Sequence, residues 1–346
     1  MTLLDGLATW PTWQLIAVFA VSAGVVVGAG VLLARNGDVI ATRTGLGGLF
    51  VGMLLMAAAT SLPEIVTDIS AAAAGAPDLA IGDLFGSSMA NMAILAIIDL
   101  RHRGRVWPSV ELGHARVAAV GIVLTALAAL GIHTPAGATI GWVGVTPILI
   151  VVLYIAAVAW FRRTPSLERG VLQPVAVPLQ KPIPWGDERT IPLRGILVRF
   201  GVAAGVILVA APTMTISVER IAEYTGIAQT FIGAALLAVS TSLPELVASL
   251  AAIRIGAHDL AVGNLFGSNA ANMAVLMFAD LAYTDGPILA AVSPTQVVAA
   301  IGAILLMGLA VAAIVGGTET RIKRFEPDAI VLLLAYIGAM VAVALA

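Results

Sequence analysis

The chain contains no cysteine. Disulfides, thiolate metal sites and thiol catalysis are therefore excluded. Charge is also scarce: 11 % of the 346 residues are Asp, Glu, Lys or Arg, against 60 % hydrophobic residues. A soluble domain of this size needs a charged surface that so few ionic groups cannot supply. Mean hydropathy is +1.03, which fits a chain whose outer surface faces lipid. The formal net charge of −2 says little, because the charges are clustered. Enzyme signatures are missing too. There is no His-Glu-x-x-His string and no Gly-x-Ser-x-Gly string, so an intramembrane enzyme has little support. No cofactor and no nucleic acid is expected.

What the chain has is long apolar runs. A helix of about 20 apolar residues crosses a bilayer. Ten such spans are predicted, at 13–34, 45–74, 79–100, 113–132, 139–161, 193–216, 227–254, 260–283, 291–315 and 327–346. The first run is long and lacks a cleavage-like flank, so it reads as a transmembrane helix and not a removed signal peptide. The longest polar connection, 162–192, holds Pro165, Pro174, Pro178, Pro182 and Pro184. It divides the chain into a first five-helix half, 1–161, and a second, 193–346. With both termini outside, 17 of the 18 basic residues fall in inward loops and only Arg220 faces out. That bias is the one the positive-inside rule expects, and it suits a multi-pass protein of a prokaryotic plasma membrane. The six tryptophans lie near span ends or in loops, as interfacial anchors.

The two halves carry a repeat. Thr60–Leu100 and Thr241–Leu281 align without a gap at an offset of 181, with 24 identities in 41 positions. Thr60-Ser61-Leu62-Pro63-Glu64 matches Thr241-Ser242-Leu243-Pro244-Glu245. Leu84-Phe85-Gly86-Ser87 matches Leu265-Phe266-Gly267-Ser268, and Ala90-Asn91-Met92-Ala93 matches Ala271-Asn272-Met273-Ala274. Five spans separate equivalent points. An odd number inverts the second copy, which is the plan of transporters whose site lies at mid-membrane between broken helices. The fold class expected is all-α: ten transmembrane helices in two inverted five-helix repeats, with helices 2 and 7 broken at proline.

The repeated residues suit a hard cation. Pro63 cannot bond the carbonyl of Ala59, and Pro244 cannot bond that of Ser240. A freed carbonyl is costly in lipid, so it should face protein or a water-filled cavity, where it is also an oxygen ligand. Glu64 and Glu245 follow the prolines, and a carboxylate at bilayer depth costs several kcal/mol unless a cation or proton neutralises it. Thr60 and Glu64, Thr241 and Glu245, Ser87 and Asn91, Ser268 and Asn272 are each four apart, hence on one helix face. Together they supply an all-oxygen shell, and Ca²⁺ takes about 6–8 oxygens in irregular geometry. Two carboxylates balance one Ca²⁺, two Na⁺ or two protons. Taken singly, each feature has a plainer reading: a kink, a backbone-bonded hydroxyl, or small residues that pack helices. Their duplication favours a transport site.

These strings resemble the two alpha-repeats of the sodium/calcium exchanger family within the calcium/cation antiporter superfamily. The resemblance covers all ten helices and is concentrated in helices 2, 3, 7 and 8. It implies that Glu64 and Glu245 are the central ligands. It also implies a lining of Thr60, Ser61, Ser87, Asn91, Thr241, Ser242, Ser268 and Asn272, with backbone carbonyls from Ala57 and Ala238. Helices 1 and 6 would move against the rest. There are departures. Asn272 stands where members close to the sodium/calcium exchangers carry Asp. Gly82-Asp83 stands for Gly-Asn, and Ser88 for Asn. The second acidic motif of the hydrogen/calcium branch and a long regulatory domain are absent.

The expected function is a secondary antiporter exchanging Na⁺ for Ca²⁺ by alternating access, with lipid and inorganic cations as its partners. A proton-coupled exchanger of Ca²⁺ or another divalent ion is the alternative in the same fold, and a passive cation channel the alternative of another class. Asp68 and Asp83 suggest an acidic outer vestibule or a second cation site on that side only, because their equivalents Ser249 and Asn264 are neutral. The plainer reading is that each acid is bonded to a backbone amide or hydroxyl near a helix end, or is protonated. Asp78 and Asp259 are expected as helix caps. His102, His114, His133 and His258 fall near span ends, where a solvated role is expected.

Overall fold

The computed structural model describes residues 10–101, 110–134, 138–163, 191–225, 241–316 and 327–346. The chain is helical almost throughout. The elements are α1 Thr12–Thr44, α2 Gly47–Ala73, α3 Pro77–Arg101, α4 Gly113–His133 and α5 Val145–Arg163. They continue as α6 Leu193–Thr225, α7 Leu243–Arg254, α8 His258–Ala282, α9 Gln296–Gly316 and α10 Pro327–Leu345. A two-residue hairpin, Thr139–Ile140 against Val143–Gly144, precedes α5, and a single helical turn, Ile288–Ala291, precedes α9. Among the described residues, nine helices are long and apolar enough to span a membrane. The remaining expected span, 227–254, is described from residue 241, and its helix α7 has 12 residues. Most of the expected connection 162–192 lies outside the described residues.

Apolar side chains point outward as well as inward. Val21, Val209, Leu305 and Leu334 are each more than half exposed, which suits a lipid-facing rim. The polar residues go the other way. Thr60, Ser61, Glu64, Asn91, Glu245, Ser268 and Asn272 are all buried. At the centre are α3 and α8, each with 72 % of its most apolar window buried, whereas α10 has 11 % and α5 17 %. Helices α1 and α6 lie along one another, and α1 also packs on α7 while α6 packs on α2.

The span limits differ from those expected. Helices α1 and α6 each run for 33 residues, about 50 Å at 1.5 Å per residue, well beyond the ~30 Å hydrocarbon core. Hydropathy marks where lipid ends, and a helix can continue past that point. Asn36 sustains it by donating its amide to the Leu32 carbonyl at 2.8 Å. The expected span 139–161 opens instead with the hairpin, and the span 291–315 begins as a helix only at Gln296. The irregularity in α2 also falls elsewhere. The helix runs through Pro63 without interruption, while Gly52–Met56 forms a π turn nine residues earlier in the chain, counted from Leu54. In the second half, α7 begins at Leu243, so Pro244 sits in its first turn, where a missing N–H costs nothing.

Two features recur in both halves. The α2–α3 and α7–α8 turns are built alike. Gly75 at φ 76° and Gly256 at φ 82° take the left-handed conformation that glycine adopts without a Cβ penalty. Ala76 then donates to Ala71 O and Ala257 to Ala252 O, both at 2.9 Å, closing each helix with the same cap. The acids at the starts of α3 and α8 act alike too. Asp78 accepts from Ser293 N at 2.7 Å, just before α9, and Asp259 accepts from Glu111 N at 2.8 Å, just before α4. Each acid therefore holds the other half of the chain in place, beyond the expected local cap.

Candidate functional site

Helix α8 reaches α2 backbone to backbone. A Cβ on Gly263 would lie 2.8 Å from Leu49 O, and one on Gly267 would lie 2.8 Å from the Met53 carbonyl carbon. A Cβ on Gly52 would lie 2.5 Å from Leu260 O. Gly263 and Gly267 are the small-x-x-x-small spacing that lets membrane helices approach closely. This contact seats the π turn of α2 against the middle of α8. The next turns of both helices then face one another with their polar side chains.

A network joins the two halves there. Ser61 Oγ donates to Glu245 Oε1 at 3.2 Å and lies 3.1 Å from Ser268 Oγ. Thr60 Oγ1 lies within 3.3 Å of Met56 O, Ala57 O and Asn264 Oδ1. Asn272 donates to Ser87 Oγ at 2.7 Å. Asn91 donates to Asn269 Oδ1 at 2.9 Å, and Asn269 donates in turn to Ser88 O at 3.2 Å. Glu64 lies in electrostatic contact with Glu245, Asp83 and Asp68, and beside the Asn272 amide.

The donors run out before the acceptors do. Both oxygens of Glu64, Oε2 of Glu245, Oδ1 of Asn91, Oδ1 of Asn272 and Oγ of Ser242 are buried without a hydrogen-bond partner. Buried polar atoms in folded proteins are rarely left so, and an orphaned carboxylate is the costliest kind. Here six orphaned oxygens come from five of the residues named from the sequence as ligands. Among the described residues, no three His, Asp or Glu side chains gather closely enough to hold a metal ion by themselves. The set is two acids supplemented by neutral oxygens. That donor chemistry suits a hard cation with a flexible shell and does not suit a soft transition metal.

Of the remaining residues named from the sequence, Ala57 is fully buried and its carbonyl faces Thr60. Thr241 is half-buried and engaged in an interaction. Ala238 lies outside the described residues. Asp68 is buried, and Asp83 is half-buried at its side. Two bridging residues of the network were not singled out as ligands. Asn264 bridges Thr60 and Ser249, donating to Ser249 Oγ at 3.0 Å. Asn269 bridges Asn91 and Ser88. The signal for Asn269 was the Gly267-Ser268-Asn269 string itself. His114 also differs from its expected solvated role: it is fully buried, with Nε2 3.0 Å from Asp259 Oδ1.

Several known proteins are similar to this chain. CaxA of Alkalimonas amylolytica is 28 % identical over 306 residues, covering 86 % of this chain and 89 % of CaxA. The sodium/calcium exchanger MaX1 of Methanosarcina acetivorans is 36 % identical over 125 residues, covering 35 % of this chain and 32 % of MaX1. Among solved structures, the sodium-calcium exchanger NCX_Mj soaked with 2.5 mM Na⁺ and 0.1 mM Sr²⁺ superposes with a TM-score of 0.69 at 21 % identity. That match covers 96 % of this chain and 99 % of NCX_Mj, and it establishes a shared fold. The sequence model described as "Sodium/calcium exchanger protein" matches residues 14–163 and again 195–345. Matched by that model over most of its length and built around a core of buried, partnerless oxygens, this multi-pass membrane chain belongs to the sodium/calcium exchanger protein family.

Proposed function

We propose that the chain is a secondary antiporter that exchanges Na⁺ for Ca²⁺ by alternating access at one site between two inverted five-helix repeats. The observation that carries this reading is the set of six partnerless buried oxygens on Glu64, Asn91, Ser242, Glu245 and Asn272. A cation supplies the positive charge that they lack. Thr60, Ser61, Ser87, Thr241 and Ser268 complete the lining, with carbonyls from Ala57 and Ala238. The site with Ca²⁺ or two Na⁺ is near neutral and can be occluded. The empty site keeps two buried carboxylates in mutual repulsion. That penalty disfavours passage of the empty carrier and so couples the two fluxes.

The repeats are 1–161 and 193–346, joined by the cytoplasmic connection 162–192. Helix α2 is irregular at its π turn and α7 starts at Leu243 beside Pro244, and both termini lie outside a prokaryotic plasma membrane. Support comes from the duplicated turns at Gly75 and Gly256 and the reciprocal bonds of Asp78 and Asp259. The π turn at Gly52–Met56 and the helix start at Leu243 supply the irregular backbone. The pair α1–α6 is the element that slides across the rest.

One measurement separates the driving ions: ⁴⁵Ca²⁺ uptake into proteoliposomes under a Na⁺ gradient alone and under a H⁺ gradient alone. Uptake driven by Na⁺ supports the proposal. Uptake driven only by H⁺ replaces it with proton-coupled exchange, which Asn272 favours by leaving two central carboxylates in place of three. Uptake down a Ca²⁺ gradient with neither counter-ion would mark a channel.

A further inference from the structure

Asp68 and Asp83 lie outside the set assigned to the transported ion. Asp68 is 1 % exposed, and neither of its oxygens meets a hydrogen-bond donor. Its carboxyl group adjoins that of Asp83. Asp83 is half-buried, so the pair connects the interior with the surface on the side of the 74–76 turn. Glu64 lies one helical turn below Asp68 on the same face of α2 and feels both charges. Three carboxylates thus descend from the surface towards the centre, in the order Asp83, Asp68, Glu64.

The second half shows what these two positions do when they are neutral. Ser249 and Asn264 stand 181 residues after Asp68 and Asp83. There Asn264 Nδ2 donates to Ser249 Oγ at 3.0 Å, and Asn264 Oδ1 accepts from Thr60. An amide and a hydroxyl satisfy one another. In the first half the same two positions hold two acceptors and no donor. Adjoining carboxylates in a buried setting repel, and burial without a counter-charge is costly. The two groups stand at hydrogen-bond range, so a shared proton or a cation belongs between them.

We infer that Asp68 and Asp83 form a second cation site, an access station that holds a hydrated divalent cation on its way to Glu64 from the side of the 74–76 turn. Two carboxylates match the charge of Ca²⁺. Only two protein carboxylates contribute and Asp83 is half-buried, so the ion keeps part of its hydration and binds weakly. Weak sites of this kind have dissociation constants of about 10⁻⁴–10⁻³ M. Because Ser249 and Asn264 form no such site, the station exists on one side of the membrane only. In the proposed topology that is the outer side. The inference rests on the exchange reading for its transport consequence but not for its binding consequence.

Two measurements test it. The first is ⁴⁵Ca²⁺ equilibrium dialysis of purified Glu245→Gln protein, in which the central site is disabled. About one Ca²⁺ per chain, with affinity in the range above, is expected to remain, and Asp68→Asn or Asp83→Asn added to Glu245→Gln should remove it. No residual binding in Glu245→Gln, or residual binding that survives both added substitutions, overturns the station whatever the exchange result. The second is Ca²⁺ flux in right-side-out and inside-out vesicles. Asp83→Asn should raise half-saturation on the 74–76 side by roughly threefold or more at low ionic strength. The effect should shrink as salt screens the pair. An equal rise on both sides, or a changed pH profile with no change in half-saturation, overturns the station and marks a shared proton instead. Ca²⁺ transport by Glu245→Gln would sink the exchange reading while leaving the dialysis result to judge the station alone.

Discussion

Glu64→Gln keeps the shape of the side chain and removes one charge from the centre of the site. Glu64 is 3 % exposed and both its oxygens lack a hydrogen-bond partner, so nothing nearby replaces the lost charge. With Ca²⁺ bound, the pair Glu64 and Glu245 gives a net charge near zero, and the variant gives +1. Carrying one uncompensated charge at mid-membrane costs about 2.5–3.5 kcal/mol on insertion scales. At 1.36 kcal/mol per decade, that lowers the rate of the loaded carrier by roughly 70- to 400-fold. The assay is ⁴⁵Ca²⁺ uptake into Na⁺-loaded proteoliposomes, checked by thermal unfolding of the purified protein. Ca²⁺ at 100 times its dissociation constant should stabilise the native chain by about 2.7 kcal/mol, and Glu64→Gln should lose that gain. Without divalent ions the variant should be at least as stable as the native chain, because an amide replaces an orphaned buried carboxylate. Glu245→Gln should behave alike, with a smaller gain in ion-free stability, since Glu245 Oε1 already accepts from Ser61. Flux within a few-fold of native in either variant, or Ca²⁺-dependent stabilisation that persists, would refute the reasoning.

Asn272→Asp restores a third acid and removes the amide that donates to Ser87. It should steepen the Na⁺ dependence of exchange, and an unchanged Hill slope would count against two-carboxylate stoichiometry. Reversal-potential measurements on the native chain should likewise give fewer than three Na⁺ per Ca²⁺. Gly267→Ala drives a methyl into the backbone at Met53, and overpacking of this kind costs about 1–3 kcal/mol. It should lower the melting temperature and the flux together, whereas Gly24→Ala, with nothing within 4 Å, should leave both intact. Asp78→Ala and Asp259→Ala each strip a cross-half bond to a backbone amide. Each should cost about 1–3 kcal/mol in urea or thermal unfolding, and a clear cost in only one would argue against their equivalence.

Much of this arrangement was legible because membrane helices obey simple periodicities. The i, i+4 spacing of Thr60 with Glu64 and of Ser268 with Asn272 put hydroxyl, acid and amide on single faces, and those faces are buried. Nine of the ten spans expected from hydropathy appear as membrane-length helices among the described residues, in the expected order. What it could not give was any property set by contact across the fold. The π turn at Gly52–Met56 lies where glycines of α8 and Gly52 of α2 bring the two backbones together, a contact that hydropathy does not report. Proline drew attention to position 63, yet a continuous helix passes through it. His114 looked interfacial from its distance to a span end, but its burial is decided by Asp259, 145 residues away. The overrun of α1 and α6 escaped for another reason. Their last turns leave Thr42, Arg43, Thr44 and Tyr224 exposed, and a hydropathy window reports on lipid alone.

The positions where the halves disagree carry the remaining information. An exchanger must open to both sides of the membrane, so elements that serve both states gain from being duplicated. The Thr-Ser-Leu-Pro-Glu strings, the Gly75 and Gly256 turns and the Asp78 and Asp259 tethers are duplicated in this way. If every position were duplicated, the two open states would differ little in energy and in the way ions reach the centre. Asp68 with Ser249 and Asp83 with Asn264 break that equality at the level just above Glu64 and Glu245. The break changes the net charge of one approach by two and leaves its backbone path alone. Charge at a mouth alters how often ions arrive far more than it alters the occluded state that follows. The two halves can therefore share one translocation machinery and still set different working concentrations for the divalent ion on the two faces of the membrane.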